Sequence, residues 1–252
     1  MLGLGHGVQS DTTSLAEIFA NRYALTFNGT DEHVQVDTLA GDISVTKGTI
    51  SAWVIWDNSH GSSQCLFQAR VDSNNIIQLF WHNSADEIRF TYKAGGTAKV
   101  VAYEADQGGS DPIFGANFPH DTLVHIVMTW DTTAASGDGE LKGYINGTQV
   151  GSTVTDLATW SGTISTADIG QNTQNGAYFE GRIDEVSIWK DAVSVSELYN
   201  GGVQRNVEFS GLDNSNLIGY YQFEEGTGTT TADESGTGNT GTLVNTPTWT
   251  AL

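Results

Sequence analysis

Cysteine is nearly absent from this 252-residue chain: Cys65 stands alone, so no intramolecular disulfide can form. It lies in Gln64-Cys65-Leu66-Phe67, a strand-like run, and reads as a buried apolar filler rather than a reactive thiol. Proline is scarce too, with 3 residues against 30 glycines, and no linker rich in Pro, Gly or Ser splits the chain into separate units. Basic side chains are few. Ten Lys and Arg against 30 Asp and Glu leave a net charge of −20. Such a surface repels phosphate, which disfavours sequence-independent nucleic-acid binding, and it repels anionic membranes in the same way. A partner should be neutral, basic or bridged by a metal. No apolar run reaches the length of a membrane-spanning helix. The opening MLGLGHGVQSD has neither a basic start nor a long apolar stretch, so no secretory signal is expected there.

What is present is strand after strand. Short runs rich in β-branched and aromatic residues recur between glycine-rich turns. The expected strands are 23–28, 33–36, 49–57, 64–71, 76–82, 87–93, 97–103, 122–131, 140–146, 163–169, 179–190 and 217–223. Asn146-Gly147 between Tyr144-Ile145 and Gln149-Val150 signals a type I′ hairpin. Long loops are expected at 57–63, 104–119 and 131–139. Hydrophobic residues make up 38% of the chain, supplemented by many Ser and Thr on strand surfaces, and the length suffices to bury a sizeable core.

The stretch FEGRIDEVSIWKDAVSVSELYNGG, 179–202, organises the rest. Bulky apolar groups fall on both faces of its strand, which predicts a strand sandwiched between two layers. Ser194-Val195-Ser196-Glu197 has the spacing of a capping box and Gly201 the place of a C-cap glycine, which predicts one short helix at 194–200. G-x-I-D-E-V-x-I-W followed by S-x-x-E-L-Y resembles the signature of laminin-G-like jelly rolls, in the concanavalin A-like lectin/glucanase and pentraxin group. Ala24-Leu25-Thr26-Phe27-Asn28-Gly29-Thr30-Asp31 is similar to that family's opening A-L-x-F-D-G strand. Thr49-Ile50-Ser51-Ala52-Trp53-Val54 is similar to its T-I-S-A-W-V strand, and 123–131 with Gly143-Tyr144-Ile145-Asn146-Gly147 to its central hairpin. Asn28 stands where the family usually has Asp, and His33 where it has Tyr. The resemblance implies an all-β fold: a two-sheet antiparallel jelly-roll sandwich spanning 23–252 as one domain.

Residues 217–249 resemble a segment that in many members of that family precedes the opening strand; here it comes last, as in a circular permutation. Close termini make permutation tolerable. Strand 218–223 is then expected beside the N-terminal strand. Residues 1–22 match nothing in the family and read as an arm. Ser14 and Glu17 offer a second capping-box spacing there.

Catalysis finds little footing. Concanavalin A-like glycosidases carry E-x-D-x-x-E on one strand; Glu104-Ala105-Asp106 begins such a triplet, but Gly109 occupies the third place. The six histidines are scattered. A non-enzymatic protein is expected. The resemblance implies a structural calcium at one rim, for which Asp31, Asp184, Asp233 and Asn28 are the candidates; surface Asx turns are the competing reading. For glycan binding, Trp81-His82-Asn83 is the candidate exposed site, with core packing of Trp81 the competing reading. The absent signal, the acidic balance and the arm together suggest a phage virion protein. Leu2, Leu4, Leu15, Ile18 and Phe19 would provide contact to virion partners or sister subunits in a homo-oligomer. The alternative is a free extracellular lectin-like module.

Overall fold

The computed structural model describes residues 21–57, 62–104, 122–204 and 211–252. In chain order the strands are β1 (Tyr23–Asn28), β2 (His33–Gln35), β3 (Lys47–Trp56), β4 (Gln64–Asp72), β5 (Asn75–His82), β6 (Glu87–Ala94), β7 (Thr97–Glu104), β8 (Val124–Asp131) and β9 (Glu140–Ile145). They continue as β10 (Thr148–Thr155), β11 (Thr166–Ile169), β12 (Gln171–Asn172), β13 (Ala177–Tyr178), β14 (Glu180–Trp189), β15 (Leu217–Tyr221), β16 (Thr230–Thr231), β17 (Gly241–Val244) and β18 (Thr248–Ala251). Two short helices, α1 (Asp37–Ala40) and α2 (Val195–Tyr199), complete the described elements of this kind. The all-β reading holds: two eight-stranded sheets and a two-stranded ribbon, with antiparallel pairing throughout.

The first sheet runs β10-β9-β8-β3-β14-β1-β18, with β15 also on β14; the second runs β16-β17-β2-β11-β4-β5-β6-β7. Alternation dictates how they stack. Ile50, Ala52, Val54, Ile126, Met128, Trp130, Ile183 and Ile188 point inward from the first sheet. Val34, Phe67, Ala69, Ile77, Leu79, Phe90, Tyr92 and Ile169 answer from the second, and all are buried in one core. The other face of β14 is covered as well. Trp189 packs there with Val127, Val195, Leu198, Leu217 and Tyr220, under α2. A strand buried on both faces is what the 179–190 pattern predicts.

Three details depart from expectation. Ser194 makes no side-chain cap to α2; its Oγ meets Ser196 Oγ at 3.0 Å, and the left-handed residue that ends the helix is Asn200, one before Gly201. Residues 217–221 pair with β14, whereas the strand beside β1 is β18. Strand β14 explains this: its first half pairs with β1 and its second half with β15, and the partner changes at a bulge where Glu185 adopts φ +50°. The hairpin at Asn146-Gly147 has both central residues at positive φ, as type I′ requires.

Candidate functional site

The outward face of the second sheet is where polar chemistry collects. Successive side chains of a strand alternate faces, so the apolar inward set leaves Gln35, Asp168, Gln68, Gln78 and Thr91 pointing away from the core. Pairing places these five in one row across β2, β11, β4, β5 and β6, in which Gln35 is exposed and Thr91 partly so, while Gln68, Asp168 and Gln78 are buried. His33, Arg70, Phe80 and Arg89 flank the row on the same face. The β12–β13 ribbon leans over β4, and Thr173 donates from both N and Oγ to Gln68 Oε1, at 3.2 and 3.0 Å. Tyr178, half-buried, stands at the edge with its ring 6.3 Å from that of His33, its hydroxyl held by Gln171 Nε2 at 3.0 Å.

Asp168 is the unusual member. It is only 4% exposed, and among the described residues no hydrogen bond reaches its carboxylate. His33 Nε2 lies 3.8 Å away. Burial, reinforced by neighbouring Asp37 and partly offset by Arg70, pushes Asp168 up to about 7, while burial pushes His33 down. Both partners disfavour their charged forms, so the contact is not a fully formed ion pair at neutral pH. Asp37 is committed elsewhere, accepting from Ala167 N at 2.9 Å and Gln35 Nε2 at 2.7 Å. Arg70, diagonal to Asp168 on β4, keeps its buried Nε without an acceptor. Acceptor and donor capacity thus stand unspent side by side, which buried polar groups ordinarily avoid. Among the described residues, a groove of about 360 Å³ on the first sheet beside Lys142, Tyr144 and Ser194 is polar but holds no unsatisfied buried carboxylate, and two other openings are less suited. A cleft of about 60 Å³ beside Trp53, Arg182 and Asp184 is mostly apolar and small. A groove of about 300 Å³ beside Tyr92 and Trp160 is lined by apolar and threonine side chains without a charged group.

The sequence candidates fall elsewhere. Trp81 is a correction: it points inward from β5 and is 1% exposed, so it presents no ring face to a sugar. His82 and Asn83 are partly exposed at the end of β5, where His82 lies near Phe80 and the Asn83 N–H donates to Ser63 Oγ. The aspartates do not converge, and among the described residues no three carboxylate, His or Cys side chains form a metal-holding group. Asp31 and Asn28 close an exposed turn on each other: Asn28 Nδ2 donates to Asp31 Oδ1 at 2.9 Å, and Asn28 Oδ1 accepts from Thr30 N. Asp233 is saturated by Tyr220 N, Ser235 N, Thr237 Oγ1 and Asn239 N, which hold it below the usual carboxylate range against the effect of its burial. Its loop meets the Gly241 end of β17, whereas Asp31 adjoins Asn245 past the other end. Strand β17 therefore separates two sites that the permuted order had suggested were adjacent. The residues do not fit a shared calcium. Leu2, Leu4, Leu15, Ile18 and Phe19 lie outside the described residues.

Asp184 is buried at the β14 junction, where its Oδ2 accepts from Asn21 Nδ2 and Gln204 Nε2 at 2.8 and 2.9 Å and its Oδ1 from Glu185 N. Glu185 accepts from the Tyr220 hydroxyl and leaves Oε1 buried without a partner. Burial above all pushes Asp184 up to about 7 and raises Glu185 well above the usual range. With Asp168, three carboxyls bind protons more tightly folded than unfolded. For Asp168 and Asp184 the stability this adds is fully present below the ordinary carboxylate range and is lost from there up to about 7, at up to roughly 1.4 kcal/mol per pH unit for each, and Glu185 acts in the same direction. His125 works oppositely: burial lowers it from 6.5 to about 3, so it costs stability only below about 6.5. The melting temperature is therefore expected to fall by on the order of 5–10 °C between pH 6 and pH 8. Asp184→Asn should flatten that slope. A curve that is level or rising over this interval would contradict the protonated carboxyls.

A family profile described as the concanavalin A-like lectin/glucanases superfamily matches residues 28–199. The chain belongs to this superfamily. Against curated protein sequences it finds no significant match. Among solved structures it is similar to a Bacteroides ovatus protein assigned as carbohydrate-binding, at 18% identity and TM-score 0.54, covering 93% of this chain and 58% of that one. The chain thus spans little more than half of that protein's length. Domain 4 of AbnA, an extracellular GH43 arabinanase of Geobacillus stearothermophilus solved in complex with arabinotriose, aligns at 19% identity and TM-score 0.50, covering 71% and 76%. The CBM40 domain of the Ruminococcus gnavus IT-sialidase, bound to α2,6 sialyllactose, aligns at 14% and TM-score 0.52, covering 72% and 98%. At such identities these likenesses establish the shared sandwich and no more.

The laminin-G-like signature was legible from the sequence, but the polar row was not. Gln68 and Gln78 each interrupt an apolar strand, which is a signal of an outward face. A bulge between Cys65 and Phe67 shifts the alternation in β4, however, and nothing local says that β11 lies beside β4.

Proposed function

We propose that this chain is a non-catalytic carbohydrate-binding module that holds its sugar on the outward face of the second sheet. The observation that carries the reading is Asp168, a buried carboxylate without a hydrogen-bond donor in a row of amide and hydroxyl side chains. Sugar hydroxyls supply the donors that it lacks, and the half-exposed Tyr178 ring offers an apolar face at the edge. Two structural neighbours solved with oligosaccharides, the arabinanase domain and the sialidase domain, support the reading by shared architecture. The buried pair Asp184 and Glu185 does not suit hydrolysis: the residues are consecutive and Asp184 is taken up by backbone and amide donors. Residues 1–20 of the arm on which virion display would rest are outside the described residues.

Binding of the full chain to a glycan array and to immobilised polysaccharides tests the proposal. Thr91→Arg, which places a long cation in the row, should abolish retention. Lys142→Glu, on the outward face of the first sheet, should leave it unchanged. Retention lost with Lys142→Glu and kept with Thr91→Arg would move the site to the other sheet.

A further inference from the structure

Resting on that reading, we propose that the face selects neutral sugars presenting two adjacent free hydroxyls, gripped between the Asp168 carboxylate and the Arg70 guanidinium, and rejects sugars that carry a carboxylate. Asp168 and Arg70 project from the same face of β11 and β4, one pairing step apart, as Asp168 opposes Gln68 and Arg70 opposes Thr166. One is an acceptor without donors, and the other has a buried Nε without an acceptor. No ion pair joins Arg70 to any described residue. A vicinal diol complements this pair directly: one hydroxyl donates to Asp168, and its neighbour accepts from Arg70.

Charge decides against an acidic sugar. Asp37 and Asp168 adjoin each other with Arg70 as the cation facing Asp168, and the whole chain carries −20. Above about pH 7, where Asp168 is ionised, a ligand carboxylate set against Arg70 would also approach the Asp168 carboxylate in a poorly solvated site, where like charges repel strongly. Thr91 and the Gln35 amide oxygen extend the row with neutral polar groups, while the Gln35 amide nitrogen is held by Asp37 and Gln78 by Gln68, so the row adds no attraction for an anion.

The test uses the full chain and calorimetry or glycan-array titration with two sets of probes. The neutral set is arabinotriose, lactose and methyl galactoside; the acidic set is sialyllactose and galacturonic acid. The neutral set should contain a ligand bound at least tenfold tighter than any acidic probe. Asp168→Asn and Arg70→Met should each weaken it at least tenfold. Asp168→Asn should also raise the melting temperature at pH 8, because it removes a buried charge that lacks donors, so lost binding cannot be ascribed to lost folding. Acidic probes bound as tightly as neutral ones, with Thr91→Arg still abolishing binding, would overturn the selectivity and leave the face in place. No binding in either set, or binding indifferent to Thr91→Arg, would overturn the face itself and this inference with it.

Discussion

Replacing Gly181 by alanine should cost more than about 4 kcal/mol, the range reserved for substitutions that break the fold's own geometry. Gly181 sits early in β14 at φ +123°, a conformation that L side chains rarely adopt. An added Cβ would lie 2.1 Å from the Ile55 carbonyl oxygen and 2.8 Å from the Asp57 amide nitrogen. Both are backbone atoms of β3 and its end, so no side-chain rotation relieves the contact. Strand β14 would have to part from β3 at Gly181–Trp56 and from β1 at Gly181–Phe27, in the middle of the first sheet. The expected result is a drop in melting temperature of at least ~10 °C, or failure to accumulate as soluble protein. Gly201→Ala is the comparison: it too has positive φ, +65°, but its Cβ would meet nothing within 4 Å. It should cost only about 1 kcal/mol. Equal stabilities for the two variants would refute the argument from close approach.

Ending the chain at residue 216 should abolish cooperative folding. Residues 217–252 contribute β15 against β14, β17 against β2 and β18 against β1, so both sheets lose strands. Tyr220, Tyr221 and Phe223 are fully buried, with Leu217, Ile218 and Leu243 nearly so. At roughly 3 kcal/mol or more for each lost aromatic, three of them approach the 5–15 kcal/mol that holds a typical domain together. The truncation would also leave the edges of β2 and β14 bare, an invitation to aggregate. Circular dichroism and thermal melting of the shortened chain test this. A soluble product with a sharp transition near that of the full chain would show that the C-terminal strands are accessory.

Much of the fold was readable because it is written locally. Thr49-Ile50-Ser51-Ala52-Trp53-Val54 alternates, and the alternate residues do face opposite layers: Ile50, Ala52 and Val54 lie in the main core, and Trp53 stacks outside with His125 and Tyr199. Asp233, Ser235, Thr237 and Asn239 form a loop that largely binds itself, its more distant side-chain partners being Tyr220 N, the Ile218 carbonyl and Asp42, which accepts from Asn239 Nδ2. Trp81 shows where local reading fails. Its alternation with Ile77 and Leu79 was visible, but that those residues line the core rather than a binding face depends on the sheet stacked against them.

The sequence by itself determined β1 to β9, β11, β14, β15, the helix after β14 and the superfamily; it did not predict β10, the short strands β12, β13 and β16 to β18, or α1. Side-chain alternation, glycine at positive φ and hairpin chemistry act over a few residues and survive in any arrangement of the chain. Only the tertiary structure decided which strands are neighbours. Asp168 lies opposite Gln68, and Gln35 opposite Asp168, through pairings that span more than half of the second sheet's sequence. The same long-range pairing set Asp31 and Asp233 at opposite ends of β17 and brought Asp184 to Asn21 and Gln204. Whether a carboxylate meets a donor, a sugar or another carboxylate is fixed by strand adjacency, and adjacency is a property of contacts distant in sequence, which no local pattern encodes.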